Sequence, residues 1–138
     1  MRTLMLLTGL MLLLALPGPA AARRHGHHSS AQATLYPVGG AAVSGTVTLR
    51  AKGHGTSIAV TASGLQPDGQ YVSLIYSNST CDLEPYATDD TIGGGPYMAD
   101  ATGMGATQGV ATDKLRHIHS VSVRLADSFQ LLACAAFG

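Results

Sequence analysis

Three stretches of this chain alternate apolar and polar residues with a period of two, and glycine or proline punctuates the spaces between runs. Val43, Gly45, Val47 and Leu49 alternate with Ser44, Thr46, Thr48 and Arg50. Ile58, Val60 and Ala62 alternate with Ser57, Ala59, Thr61 and Ser63. Val121, Val123 and Leu125 alternate with Ser120, Ser122 and Arg124. Successive side chains of a strand point to opposite faces, so each run reads as a half-buried strand with one wet face. Residues 33–38, 70–77, 108–112 and 131–137 are further strand candidates. Gly53-His54-Gly55 reads as a short hairpin turn, and Pro67-Asp68-Gly69 as the next tight turn. Beyond the N-terminal apolar segment no window carries a 3.6-residue apolar stripe. Roughly seven short strands at this spacing predict an all-β domain, an antiparallel sandwich or flattened barrel with Greek-key connections.

The first 22 residues read as a secretory signal. Arg2 supplies the positive start, residues 4–16 the apolar run, and Ala20-Ala21-Ala22 the small-residue cleavage site. The apolar run is shorter than the ~20 residues that a membrane span needs, and no other stretch is a candidate. Residues 23–32 read as a polar, His-containing tail, and residues 33–138 as one domain. Eight Lys and Arg against eight Asp and Glu leave no charge excess that would suggest nucleic acid or an anionic membrane. Export, extracellular or periplasmic, would place Cys81 and Cys134, the only cysteines, where a disulfide is the default; two separate buried thiols are the alternative.

Residues 80–106 break the strand pattern. They hold Gly93-Gly94-Gly95-Pro96, Gly103 and Gly105, with the acids Asp82, Glu84, Asp89, Asp90 and Asp100. This reads as a long loop, and loops of such length in compact domains are usually functional or disordered.

Several segments, in order, resemble those of one family. Val43-Ser44-Gly45-Thr46-Val47 is similar to a Val-x-Gly-Thr-Val strand, and Gly64-Leu65-Gln66-Pro67 to a Gly-Leu-x-Pro turn. Ala99-Asp100-Ala101-Thr102-Gly103 is similar to an Ala-Asp-x-Asp-Gly segment, and residues 120–124 and 131–138 to a last strand pair ending in Ala-Cys. The family is the secreted copper/zinc superoxide dismutases. The resemblance implies their all-β fold and a disulfide from Cys81, in the loop after the turn, to Cys134 on the last strand.

It also implies a metal site, and there the residues depart. Where the family carries two copper histidines after the turn, this chain has Leu74 and Tyr76, or Ser73 and Ile75 in a register slipped by one. The last copper histidine falls near Arg124 or Leu125, and the active-site arginine at Leu131. No histidine lies between His54 and His117, where the zinc ligands belong, and only residues 126–130 stand in place of the long charged steering loop. Copper that cycles during dismutation wants several imidazoles in a near-planar set. The resemblance therefore carries the fold and the disulfide but not the catalytic site, and no cofactor is expected on the barrel.

Other chemistry-bearing residues are few. Cleavage after Ala22 would leave a chain beginning Arg23-Arg24-His25. Its free amine, two amides and the third-residue imidazole make a square-planar nitrogen set of the kind copper(II) prefers. His27 and His28 could add donors. A solvated linker is the alternative. His117 and His119, two apart, share a strand face and are expected as partly buried rings leading into the strand at Val121. His54 is expected to be exposed at a hairpin tip. The acids of the long loop could serve calcium but lack regular calcium-loop spacing, so a solvated loop is expected. Asn78-Ser79-Thr80 is a glycosylation sequon, relevant only in a eukaryotic source. No catalytic set stands out. The expected function is a secreted, non-catalytic structural or binding module, with copper handling by His25, His27 and His28 as the alternative and an atypical dismutase as a third. The natural partner stays open, with a homodimer through a sheet face as the association to test.

Overall fold

The computed structural model describes residues 29–85 and 88–138. Among the described residues there are eight strands: β1 (Ser30–Pro37), β2 (Ser44–Lys52), β3 (Gly55–Ser63), β4 (Gln70–Tyr76), β5 (Tyr97–Met98), β6 (Gly105–Ala111), β7 (Ser120–Leu125) and β8 (Leu131–Ala136). All ladders are antiparallel, in the order β5-β4-β7-β8-β1-β2-β3-β6. The end strands β5 and β6 follow one another in the chain. The Tyr97 ring reaches Gly105 so closely that a Cβ there would lie 3.1 Å from it. The sheet thus curls into a nearly closed barrel.

The hairpin of β2 and β3 sets the register for one half. Gly53, at φ 58°, opens the Gly53-His54 tip, and the ladder runs from Lys52 opposite Gly55 to Ser44 opposite Ser63. This puts Val47 against Val60 and Leu49 against Ile58, all buried. A one-residue slip would turn every one of these side chains to solvent, so burial enforces the register. At the next turn Asp68 takes φ 61° after Pro67, and the Gly69 N–H donates to Gln66 O at 3.0 Å. Positive φ at the third turn position after proline marks a type II turn.

β1 starts earlier than its pattern suggests. Ser30 pairs with Arg50 and Gln32 with Thr48, so residues 30–32 belong to the barrel and not to the tail. At its far end β1 leaves β2 and pairs Tyr36 with Cys134 on β8, which stitches the two halves together.

The long loop is more ordered than its composition suggests. It forms 3-10 turns at Thr88–Asp90 and Ile92–Gly94. β5 is short, so β4 and β6 do not meet along their length, and residues 91–94 fill that seam. Thr91 bridges to Leu74 on β4, buried Ile92 caps the interior, and the Thr107 hydroxyl on β6 donates to Ile92 O at 3.4 Å. Gly109 is required here: a Cβ would stand 2.5 Å from Gly93 N. A cleft of about 320 Å³ remains at the seam, lined by Ile58, Ile92, Gly93, Gly109 and Ala111 among others.

The barrel interior is filled by Leu35, Val47, Leu49, Ile58, Val60, Tyr71, Ile75, Val121, Val123, Ala133 and their neighbours. Two tyrosines bring hydroxyls inside, and both are satisfied. Tyr71 Oη accepts from the Gln66 N–H at 2.7 Å, and Tyr97 Oη lies 2.9 Å from Ser73 Oγ. Burial pushes the Tyr97 hydroxyl above its ordinary pKa, partly offset by the Ser73 bond.

Candidate functional site

The interior is not the only buried surface. On β4, Tyr71, Ser73 and Ile75 face the core while Val72, Leu74 and Tyr76 face outward, yet all six are buried. On β7, Val121 and Val123 face the core, and Ser120, Ser122 and Arg124 face out, also buried. The alternation of β7 therefore does not mark a wet face. Residues 77–85 and 126–130 fold over it and create a second cluster of Val72, Leu74, Tyr76 and Cys81, with Phe129, Leu131 and Cys134 against it.

The cover is held covalently and by hydrogen bonds. Cys81 and Cys134 form a disulfide, with Cα atoms 6.0 Å apart. The Cys81 N–H donates to Ser120 Oγ at 3.2 Å, and that hydroxyl donates to Asn78 O at 2.6 Å. Cys81 itself adopts φ 58°, a conformation that residues other than Gly rarely hold.

Arg124 is the centre of the arrangement. It is 5% exposed. Its Nε donates to Tyr76 Oη at 2.8 Å, one terminal nitrogen to Phe129 O at 2.6 Å, and the other to Cys81 O at 2.5 Å. The guanidinium also lies 5.8 Å from the Tyr76 ring centroid, a cation–π distance. Tyr76 Oη shares a further hydrogen bond with Ser122 Oγ at 2.8 Å. Among the described residues Arg124 has no carboxylate partner; two carbonyls and a phenol carry the solvation that burial removes. One planar fork thus ties β4, the cover loop and the β7–β8 turn together, which a lysine ammonium could not do in the same geometry. The Ser-x-Ser-x-Arg pattern had suggested solvent. Nothing local distinguishes a charged residue facing water from one facing a covering loop, and the signal lay in Cys81, which draws that loop across.

Of the two registers that the resemblance allows, one puts its active-site positions on this face, and Leu125 packs on the interior instead. Leu74, Tyr76, Arg124 and Leu131 all lie in or beside the second cluster, while Ser73 and Ile75 point into the barrel. Leucine offers no donor, guanidinium cannot coordinate a cation, and the Tyr76 oxygen is already engaged twice. The patch is built to hold a cation of its own.

The remaining candidates are dispersed. Asn78 is a loop organiser. Its Oδ1 accepts from the Thr80 and Asp82 N–H groups, both at 3.1 Å, and its Nδ2 donates to Asp82 O at 2.8 Å and Glu84 Oε2 at 3.0 Å. Glu84 also accepts from the Ser77 N–H at 2.7 Å and from the Ser77 hydroxyl. The Ser77 N–H, aided by the Asn78 amide and Ser77 hydroxyl, holds the Glu84 carboxyl below its ordinary pKa.

His117 and His119 are exposed, contrary to the expected partly buried rings. The 3-10 turn Leu115–His117 shifts the phase before β7, so Ile118 and Ser120 are buried instead. His117 Nε2 accepts from Arg116 Nε at 3.2 Å, and His54 is exposed at its hairpin tip. A polar cleft of about 210 Å³ is lined by Glu84, Asp90, Asp113 and His117 with Tyr76 at its wall. Among the described residues no three His, Cys, Asp or Glu side chains are grouped to hold a metal ion. His25, His27 and His28 lie outside the described residues. No described helix is long and apolar enough to cross a membrane. No protein-family model matches the chain, and no curated protein matches it.

Proposed function

We propose that this chain is a secreted, non-catalytic domain of the copper/zinc superoxide dismutase-like fold that serves as a structural or binding module. The fold half of the reading rests on connectivity. After β4, β5 and β6 the chain returns so that β7 lies beside β4, a return that supports a Greek-key reading although β5 and β6 do not pair. The Cys81–Cys134 disulfide joins the loop and strand that the resemblance requires. Secretion rests on the N-terminal apolar run and its Ala20-Ala21-Ala22 end, with which the disulfide agrees.

One observation carries the non-catalytic half: the face that the resemblance makes the copper site holds Leu74, Tyr76, Leu131 and an Arg124 whose three nitrogens each donate a hydrogen bond, and residues 77–85 and 126–130 cover it. A redox metal there would meet a fixed positive charge and no imidazole. Purified protein supplied with copper and zinc should clear superoxide no faster than free copper. A chelator-resistant, protein-bound activity would overturn the reading.

The outward face of β1, β2, β3 and β6 is the surface this reading offers to a partner. Apart from Arg50 and Lys52 at one end, the strand residues facing out are uncharged, among them Thr34, Thr48, Thr61 and Gln108. Self-association through it predicts a concentration-dependent dimer in sedimentation.

A second reading rests on the sequence Arg23-Arg24-His25 after the cleavage motif. A mature chain starting at Arg23 would bind one copper(II) in a square-planar set, more weakly as pH falls and the nitrogen donors protonate. His25→Ala should abolish the spectrum; a one-residue N-terminal extension should damage it. Equal binding by the extended form would reduce the tail to a loose histidine cluster.

A further inference from the structure

Beyond its N-terminal apolar segment the chain has two methionines, Met98 and Met104. Both are on the surface, 57% and 40% exposed. An unbranched thioether ordinarily fills gaps in a core, so placing both on one short connection is unusual. Met98 ends β5, and Met104 immediately precedes β6. Ala99 and Gly105 are buried and the Tyr97 ring packs on Gly105, so alternation turns Met98 and Met104 outward together.

The backbone between them is pinned. The Asp100 N–H donates to Met104 O at 2.8 Å, and the Met104 N–H returns to Asp100 Oδ1 at 3.0 Å. These bonds close the turn with residue 104 opposite residue 100, and Met98 stands two residues earlier on the same outward phase. β5 and β6 form no ladder beyond the turn, so the two attachment points are set apart by roughly the 7–8 Å of diagonal neighbours or more, a span for two long side chains. The Gly103 N–H donates to Asp100 O at 3.1 Å, and the Leu65 and Asp68 N–H groups hold Gly103 O and Ala99 O at 3.0 and 3.1 Å. The thioethers are mobile on their stems, but their attachment points are fixed to the barrel.

We propose that Met98 and Met104 form a two-thioether surface site for a soft monovalent cation, copper(I) in particular. Thioether sulfur selects copper(I), whereas magnesium and calcium take oxygen ligands. Asp100, between them in sequence, is exposed. The Thr102 hydroxyl and the Thr102 and Met104 N–H groups donate to its Oδ1 at 2.7, 2.8 and 3.0 Å and fix the carboxylate within the turn. The site uses none of the Arg124 network's residues, and it involves ligand binding alone, with no change of oxidation state.

The test uses full-length mature protein carrying His25→Ala, His27→Ala and His28→Ala, so that tail imidazoles do not compete. Copper(I) is titrated anaerobically against a chromophoric chelator while the two methionine methyl resonances are followed. The site predicts that both methyls shift together and saturate at one equivalent. Met98→Leu should weaken binding at least tenfold and remove the Met104 shift over the same range, and Met104→Leu should do the converse, with thermal midpoints unchanged. Methyls that stay still, or that respond independently with full affinity retained in either single variant, would overturn the proposal.

Discussion

Arg124→Met keeps most of the apolar stem and removes the guanidinium. Two carbonyls, Cys81 O and Phe129 O, then lose their donor within a covered face, and Tyr76 Oη keeps only Ser122. A buried acceptor left without a partner costs about 1–3 kcal/mol. Two of them give a gross loss of ~2–6 kcal/mol. Against this stands the relief of a buried cation that has no carboxylate partner among the described residues, which offsets part of the loss. The net expectation is ~2–4 kcal/mol, or a fall in thermal midpoint of about 4 °C for each kcal/mol in a domain of this size. The assay is denaturant unfolding with the disulfide intact, read in parallel for Arg124→Lys and Tyr76→Phe. Lysine keeps the charge and loses the fork, so it should recover less than half of the stability. The double variant Arg124→Met/Tyr76→Phe should lose less than the sum of its parts, since the two residues share one bond. If Arg124→Met lies within about 0.5 kcal/mol of the parent, the range expected of a surface site, the guanidinium does not hold the cover in place and the argument built on it fails.

Three further outcomes follow from the same geometry. Replacing Cys81 and Cys134 together by Ser should lower stability by about 4 kcal/mol at most, since the bond closes a separation of 53 residues, and should raise hydrogen exchange in residues 77–85 before the rest of the barrel; unchanged exchange there would show that the cover stands without its covalent tie. The Glu84 carboxyl has a depressed pKa, so its contribution is present above the ordinary carboxylate range and is lost as pH falls through the folded value. Acidification should therefore loosen residues 77–84, as read from their amide exchange, and Glu84→Gln should be loose already at neutral pH; a variant whose loop remains as protected and as acid-sensitive as the parent's would refute the assignment. Gly109→Val should drive residues 92–94 off the seam between β4 and β6 at a cost of ~1–3 kcal/mol, and a crystal structure with that segment undisturbed would contradict the close approach.

How much of this was legible in the sequence depends on where burial came from. Where one face met the core and the other met water, as in β2 and β3, alternation located the strands and the inward residues within a residue or two. β1 was read short because Ser30 and Gln32 are polar on an outward face and look like tail. β5 is two residues long, below any periodic signal, and β6 was read from 108 because Gly105 and Ala106 carry little apolar pattern. The disulfide was expected from residue count, compartment and resemblance. The Arg124 network was not, because β4 and β7 are buried on both faces, and period-two reasoning assigns one face to solvent by construction. His117 and His119 were misplaced for a related reason: a three-residue 3-10 turn resets the phase, and no residue in Leu115–His117 announces it.

The most direct test of the central claim is metal analysis and superoxide clearance on the exported protein, purified without added metal, both with its tail and with His25, His27 and His28 replaced by Ala. A non-catalytic barrel predicts no stoichiometric zinc, no activity in either form, and loss of any bound copper(II) when the tail histidines go. Stoichiometric copper plus zinc retained by the tail-substituted protein, with chelator-resistant superoxide clearance, would contradict it.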